Sequence, residues 1–262
     1  NVALTGHKEI SINISAASGA VTKGDKLAHT LTLIDDELIG KPKGYETGAG
    51  SWRVKRTFEY NESGAVSRVI WEQNSLNGVD TYHYNETGQL TKISDTHNSE
   101  TLYLRDDQGR IVRSEKFETG VLKKYMIYSY DNGGNVGEVA VFNRQPSGEF
   151  VMSSLFVYLY YSTSNNLYKR LTYYPLPESE DFALIQEEMY EYADQNDLEN
   201  PFPMVEILPG VNAQPSFPSR YLLSRDGQEY SYQLNYTFNN QGLPVKRTVS
   251  NGTAEVTTYQ YY

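Results

Sequence analysis

The sequence predicts an all-β protein, an antiparallel meander of roughly a dozen strands made of hairpin repeats and curled into an open barrel or shell. Three observations carry this reading. One phrase recurs: aromatic-x-aromatic, then Asn or Asp, two polar residues, Gly, and an apolar residue two positions later. Phe58-Glu59-Tyr60 leads into Asn61 and Gly64, and Tyr82-His83-Tyr84 into Asn85 and Gly88. The same spacing joins Asp106 to Gly109, Asp131 to Gly134, and Asn239 to Gly242. Further turn signals fall between these copies, at Asn77-Gly78, Asp95 to Ser99, Thr119-Gly120, Ser147-Gly148 and Asn251-Gly252. The stretches between turns are aromatic and β-branched, with 23 tyrosines in 262 residues.

The physical content of the phrase is a turn. Asn or Asp at the first position of a type I turn accepts a bond from the backbone two residues on, and Gly at the fourth supplies positive φ. Followed by strand residues, this is a hairpin with a glycine bulge. Aromatics two residues apart point to one face of the incoming strand. Glycines at 64, 88, 109 and 134 are 24, 21 and 25 residues apart, which is room for two strands and two turns per repeat.

In chain order, Ile10, Ile12 and Ile14 alternate as a half-buried strand, and Thr30 to Ile34 forms a second, closed by Asp35-Asp36. Gly40 to Gly50 holds four glycines and Pro42 and reads as a loop. Residues 1–50 are therefore expected to cap the first edge strand of a single 1–262 domain. Repeats occupy 51–174, with Trp52, Val54, Phe58 and Tyr60 on one parity. Val136 to Phe142 and Phe150 to Tyr161 are apolar on both parities, so both faces are expected to be covered. An insertion spans 175–219, in which Phe182, Ile185, Met189 and Tyr192 recur as one stripe of a helix, about 180–194, with Ser179 as its cap. A Pro-rich excursion (Pro209, Pro215, Pro218) then returns to the sheet, and the insertion as a whole, helix included, is expected to plug one face or end of the sheet or to form one wall of a ligand groove. C-terminal repeats fill 220–262.

The recurring phrase resembles the YD repeat of RHS-type bacterial surface and toxin-shell proteins. It is also similar to secreted lipoproteins of Gram-negative bacteria whose strands form a curled, barrel-like sheet. The resemblance covers about residues 50–174 and 220–262 and implies a scaffold or shell, extracytoplasmic, with a lipid-bearing cysteine upstream. Two copies depart from the pattern: Arg105 replaces the second aromatic, and Asn165-Asn166 stands where a glycine is expected.

Composition narrows the function classes. The formal net charge of −10 speaks against nucleic acid and anionic membranes as partners. Cysteine is absent, which removes disulfides, thiol nucleophiles and thiolate metal sites. The longest apolar run, Leu155 to Tyr161, is too short for a membrane helix. A membrane-spanning β-barrel needs an apolar residue at every second position, and Arg110 to Phe117 carries charge on both parities, so the chain is expected not to span a membrane.

Catalytic, metal and cofactor signatures are not found. His7, His29, His83 and His97 share no metal-binding spacing. Of the acidic pairs, Asp35-Asp36 ends a strand, Asp106 is used in its turn, and Glu187-Glu188 lies on the expected helix. One repeated charge remains. Four residues after the glycine (or Asn166) stand Arg68, Lys92, Arg113, Arg170 and Lys246, with Glu138 the exception. In register these form a cationic row, either snorkelling over neighbouring tyrosines or offering a stripe to an anionic ligand such as an acidic glycan. Tyr60, Tyr82, Tyr84, Tyr128 and Tyr130 are expected in the core rather than on a sugar-stacking platform. The expectation is a non-catalytic binding or structural module of the periplasm, outer membrane or cell surface. A glycan-handling protein of a polysaccharide-utilisation system is the alternative, with a glycan or a surface protein as partner.

Overall fold

The computed structural model describes residues 8–13, 28–33, 38–176, 179, 181–193, 200–250 and 255–262. Strands β1 (Lys8–Asn13) and β2 (Ala28–Leu33) pair antiparallel as a separate two-stranded sheet. Ile14, Ile34 and the Asp35-Asp36 stop lie outside the described residues, as do His7 and Asn251-Gly252. The next strands are β3 (Pro42–Ala49), β4 (Trp52–Tyr60), β5 (Val66–Gln73), β6 (Leu76–Tyr84), β7 (Leu90–Asp95) and β8 (Ser99–Arg105). Then follow β9 (Ile111–Glu118), β10 (Val121–Tyr130), β11 (Val136–Arg144), β12 (Phe150–Tyr160) and β13 (Leu167–Pro175). The chain ends with β14 (Phe182–Tyr192), β15 (Pro218–Arg225), β16 (Gln228–Phe238), β17 (Pro244–Ser250) and β18 (Glu255–Tyr261).

Strands β3 to β18 follow one another as antiparallel neighbours, and β18 returns to pair with β3, closing a 16-strand barrel. The open shell expected from the sequence is thus closed, and the strand number exceeds a dozen. The stretch expected to be a loop, Gly40 to Gly50, is the strand that closes it. Tyr259 faces Tyr45 and Thr257 faces Thr47 across the seam, where the two threonine hydroxyls bond at 2.8 Å. Gly44 and Gly48 explain the misreading. A Cβ on Gly44 would lie 2.3 Å from the Arg56 carbonyl oxygen, so glycine there permits close strand approach rather than a bend. Closure removes the edge that residues 1–50 were expected to cap.

The five repeat turns form as the spacing dictates. Gly64, Gly88, Gly109, Gly134 and Gly242 have φ between +75° and +82°. In each, the glycine N–H donates to the carbonyl of the Asn or Asp three residues back. The side-chain oxygens of Asn61, Asn85, Asp106 and Asn239 also accept from backbone N–H groups two and four residues on. Asp131 accepts from Asn135 N–H. A register shift follows before Tyr60, Tyr84, Arg105, Tyr130 and Phe238, which is the expected bulge. Asn77-Gly78 is not a turn. The reversal falls at Asn74 (φ 52°), and Gly78 lies inside β6 where a Cβ would stand 2.5 Å from the Trp71 ring.

Where the second aromatic of an aromatic-x-aromatic pair is tyrosine, it locks successive repeats together; Phe238 in the Asn239–Gly242 copy has no hydroxyl to do so. The Tyr84 hydroxyl donates to the Val66 carbonyl, Tyr130 to Ile111, Tyr160 to Val136, Tyr192 to Leu167 and Tyr261 to Pro244, at 2.6–3.1 Å. Each acceptor lies two residues past the turn of an earlier repeat, where the bulge has broken the ladder and left the carbonyl in need of a donor. Tyr60 does the same for Pro42, two residues past Gly40 (φ 80°), which reveals Gly40 as a further turn of the series. Arg105 stands in for tyrosine: its guanidinium donates to the carbonyls of Leu90 and Gly109.

No α-helix occurs among the described residues. The helix expected over 180–194 is β14, paired with β13 and β15. Its residues fit both periods. Gln186, Glu188, Tyr190 and Tyr192 turn inward while Glu187, Met189 and Glu191 turn outward, and two hydrogen-bonding neighbours override local helix propensity. The remainder of the insertion, from Asn200 to Phe217, enters the barrel and fills it. Val205, Leu208 and Ala213 join Ile111, Tyr128, Val139, Tyr158, Leu167 and Tyr190 in one buried cluster. Phe202 packs on the rings of Tyr45, Phe58, Tyr259 and Tyr261 across the lumen. A barrel of this many strands is too wide for its wall side chains to fill, so part of the chain supplies the core.

Candidate functional site: the lumen cavity

Polar atoms bind the plug at its base. Asn166 exchanges hydrogen bonds with Ser216, Leu167 N–H donates to the Ala213 carbonyl, and the fully buried Gln214 accepts from Met204 and Val205 N–H. Between the plug and the wall of β3–β8, β17 and β18 remains a cavity of about 830 Å³. Its walls are aromatic, from Tyr45, Phe58, Tyr82, Tyr259 and, on the plug, Phe202. Arg56, Arg105 and Arg247 reach it from the barrel, and Glu206 and Glu255 are its carboxylates. Both Arg56 and Arg247 act electrostatically on the Tyr45 hydroxyl, as does Glu206, so these groups converge.

The guanidiniums are incompletely paired. Nε of Arg56, Arg105 and Arg247 is buried with no acceptor among the described residues. Arg247 donates through Nη2 to Thr257 Oγ1 at 3.2 Å and Glu255 Oε1 at 3.4 Å. Burial pushes the Tyr45, Tyr82 and Tyr259 phenols above their ordinary value, against the pull of the arginines. These tyrosines stay neutral donors at physiological pH. Chemically the cavity can stack rings, donate to and accept from hydroxyls, and hold one oxyanion.

The positions singled out by spacing do not meet here. Arg68, Lys92 and Arg113 lie on the outward face of alternate strands. Arg68 pairs with Glu59 and Lys92 with Glu100, while Arg113 pairs with Glu115 and lies 4.1 Å over the Tyr125 ring. Lys246 faces outward opposite Thr237 and Thr258. Arg170 departs from this row and faces the interior, paired to Glu188, whose other oxygen accepts from the Tyr190 hydroxyl. The cause is the irregular turn. Asn165, not Asn166, takes the left-handed conformation (φ 53°), so the residue four positions on is Lys169, which pairs outside with Glu187 at 3.0 Å.

Spacing missed Arg56 and Arg247. A signal existed for Arg56, which shares the parity of Trp52, Val54, Phe58 and Tyr60, so it is a charge on the packed face. Among the histidines, His83 bonds Ser94 on the outside and His97 lies against Trp71. No cluster of metal-ligating side chains occurs among the described residues.

No protein-family model matches this chain, and a search of curated proteins finds no match. Solved structures with a similar fold include a porin-like protein from Bacteroides uniformis ATCC 8492, at 12% identity and TM-score 0.58, covering 86% of this chain and 99% of that one. A porin-like protein from Bacteroides vulgatus ATCC 8482 aligns at 12% identity and TM-score 0.59, over 85% and 98%. At such identity the likeness is one of fold: an all-β antiparallel barrel.

Proposed function

We propose that the chain is a non-catalytic, extracytoplasmic binding or structural barrel of a Gram-negative surface, standing in water rather than crossing the bilayer. The outward face carries this reading. Across neighbouring strands Arg53 pairs with Glu46, Lys55 with Glu72, Arg68 with Glu59, Lys92 with Glu100 and Arg220 with Glu191. A bilayer surrounds every strand of a barrel within it, and an Arg or Lys facing lipid costs about 2–4 kcal/mol at the midplane. Exposed aliphatic side chains such as Leu104, Ile127, Val151 and Leu184 gather on β8 to β14, while elsewhere exposed apolar side chains such as Leu76 on β6 and Tyr230 on β16 stand scattered among these ion pairs. The plugged lumen equally disfavours a conducting pore.

The interlocking tyrosines support a repeat of the YD kind, and the barrel likeness to porin-like Bacteroides proteins supports the surface location. A glycan-binding role is the second reading, favoured by the aromatic and arginine-lined cavity. The test is phase partition in Triton X-114 of the purified chain, with conductance across planar bilayers. Partition to the aqueous phase without channel events is expected. Recovery in the detergent phase with stepwise conductance would reject the proposal.

A further inference from the structure

We propose that the lumen cavity binds an acidic disaccharide, its carboxylate held between the Arg56 and Arg247 guanidiniums and its rings lying against the tyrosines. This deepens the binding reading and rests on it. Partition and ligand binding are separate measurements, so either can fail alone.

Three features select this class. The first is charge: three guanidiniums and two carboxylates line the cavity, and although Asp80, held by the Trp71 indole N–H, acts on Arg56 from nearby, no carboxylate among the described residues forms an ion pair with Arg56 or Arg105. A buried guanidinium N–H with no acceptor is costly, and a planar carboxylate is the group its fork geometry matches. The Arg247 side chain is only 12% exposed, so this donor cannot turn to bulk water. The second is size. About 830 Å³ lies within the range of small-ligand sites and accommodates two sugar rings.

The third is the mixture of surfaces. An aromatic acid would need apolar walls alone, whereas Thr47, Thr257, Gln89 and Asn212 also line the cavity beside the tyrosine hydroxyls. Sugar rings present apolar C–H faces for the rings and hydroxyls for these donors and acceptors. Glu206 and Glu255 then serve as hydroxyl acceptors, and Glu255 gives up part of its hold on Arg247 when a ligand carboxylate arrives.

The probe is digalacturonate, compared with the neutral disaccharide cellobiose and with acetate. Trp52 lines the cavity, so binding is read by tryptophan fluorescence and by calorimetry. Digalacturonate is expected to bind and to raise the melting temperature, cellobiose and acetate to bind at least about tenfold more weakly. Arg56→Gln and Arg247→Gln are each expected to lose at least about tenfold in affinity, while Arg68→Gln on the outside loses none. Should Arg247→Gln fail to fold, Arg56→Gln and the ligand comparison still decide. Absence of digalacturonate binding up to about 10 mM would overturn the proposal. Equal affinity for acetate, or affinity unchanged in Arg56→Gln, would also overturn it.

Discussion

Raising the pH should unfold this barrel cooperatively, because its core is built from phenols. Burial is the leading cause of a raised pKa at 16 tyrosines, from Tyr45 on the closing strand to Tyr262. Tyr158 is the clearest case, 7% exposed and pushed from 10.0 up to about 12. A phenol whose pKa is higher in the folded state favours folding fully below pH 10. That contribution is lost as pH climbs through the folded value, since the unfolded chain releases its proton first. For Tyr158 alone the loss is roughly 3 kcal/mol at about 1.4 kcal/mol per pH unit. A few such groups together equal the 5–15 kcal/mol that typically stabilises a domain. The sheet should therefore melt as one transition between about pH 10 and 12. Circular dichroism of the β signal and absorbance of phenolate at 295 nm, followed together, should change in step. Gradual phenolate formation centred near pH 10 with the sheet signal intact would refute the reasoning, because it would mean the tyrosines are wet.

Three further outcomes follow from single residues. Glu188→Leu should cost about 3–5 kcal/mol in urea unfolding, by stranding Arg170 in the interior, and the double change Arg170→Leu/Glu188→Leu should recover part of it. Gly88→Ala should cost about 1–2 kcal/mol although no atom lies within 4 Å of the new Cβ, because φ is +78°. Gly88→Asn should cost less, as Asn98 and Asn165 already hold that conformation. Arg105→Tyr should leave stability within about 1 kcal/mol, by restoring the tyrosine of the other repeats, while Arg105→Leu should lose about 1–2 kcal/mol for the undonated Leu90 carbonyl.

What was legible in the chain was local. Asn or Asp three residues before Gly specifies a turn through bonds that span four residues, so all five turns and their bulges could be read from spacing alone. The parity of Phe58, Tyr60, Tyr82 and Tyr84 likewise follows from the two-residue period of a strand. Gly78 and the Gly44–Gly48 pair misled because glycine marks either a bend or a close approach, and which one depends on Trp71 and on β4, residues the local sequence does not bring near. Phe182 to Tyr192 satisfied helix and strand periods equally, and only pairing on both sides decided between them. A slip of one residue at Asn165 turned Arg170 inward.

The sequence by itself determined that the chain turns back at regular intervals and which side chains share a face. Tertiary structure decided that the sheet closes, that 200–217 fills its centre, and that Arg56 and Arg247, 191 residues apart, share one cavity. The physical reason is range. Turn chemistry acts over a few bonds of chain, whereas closure and cavity formation depend on the summed curvature of sixteen strands, which no single window of residues contains.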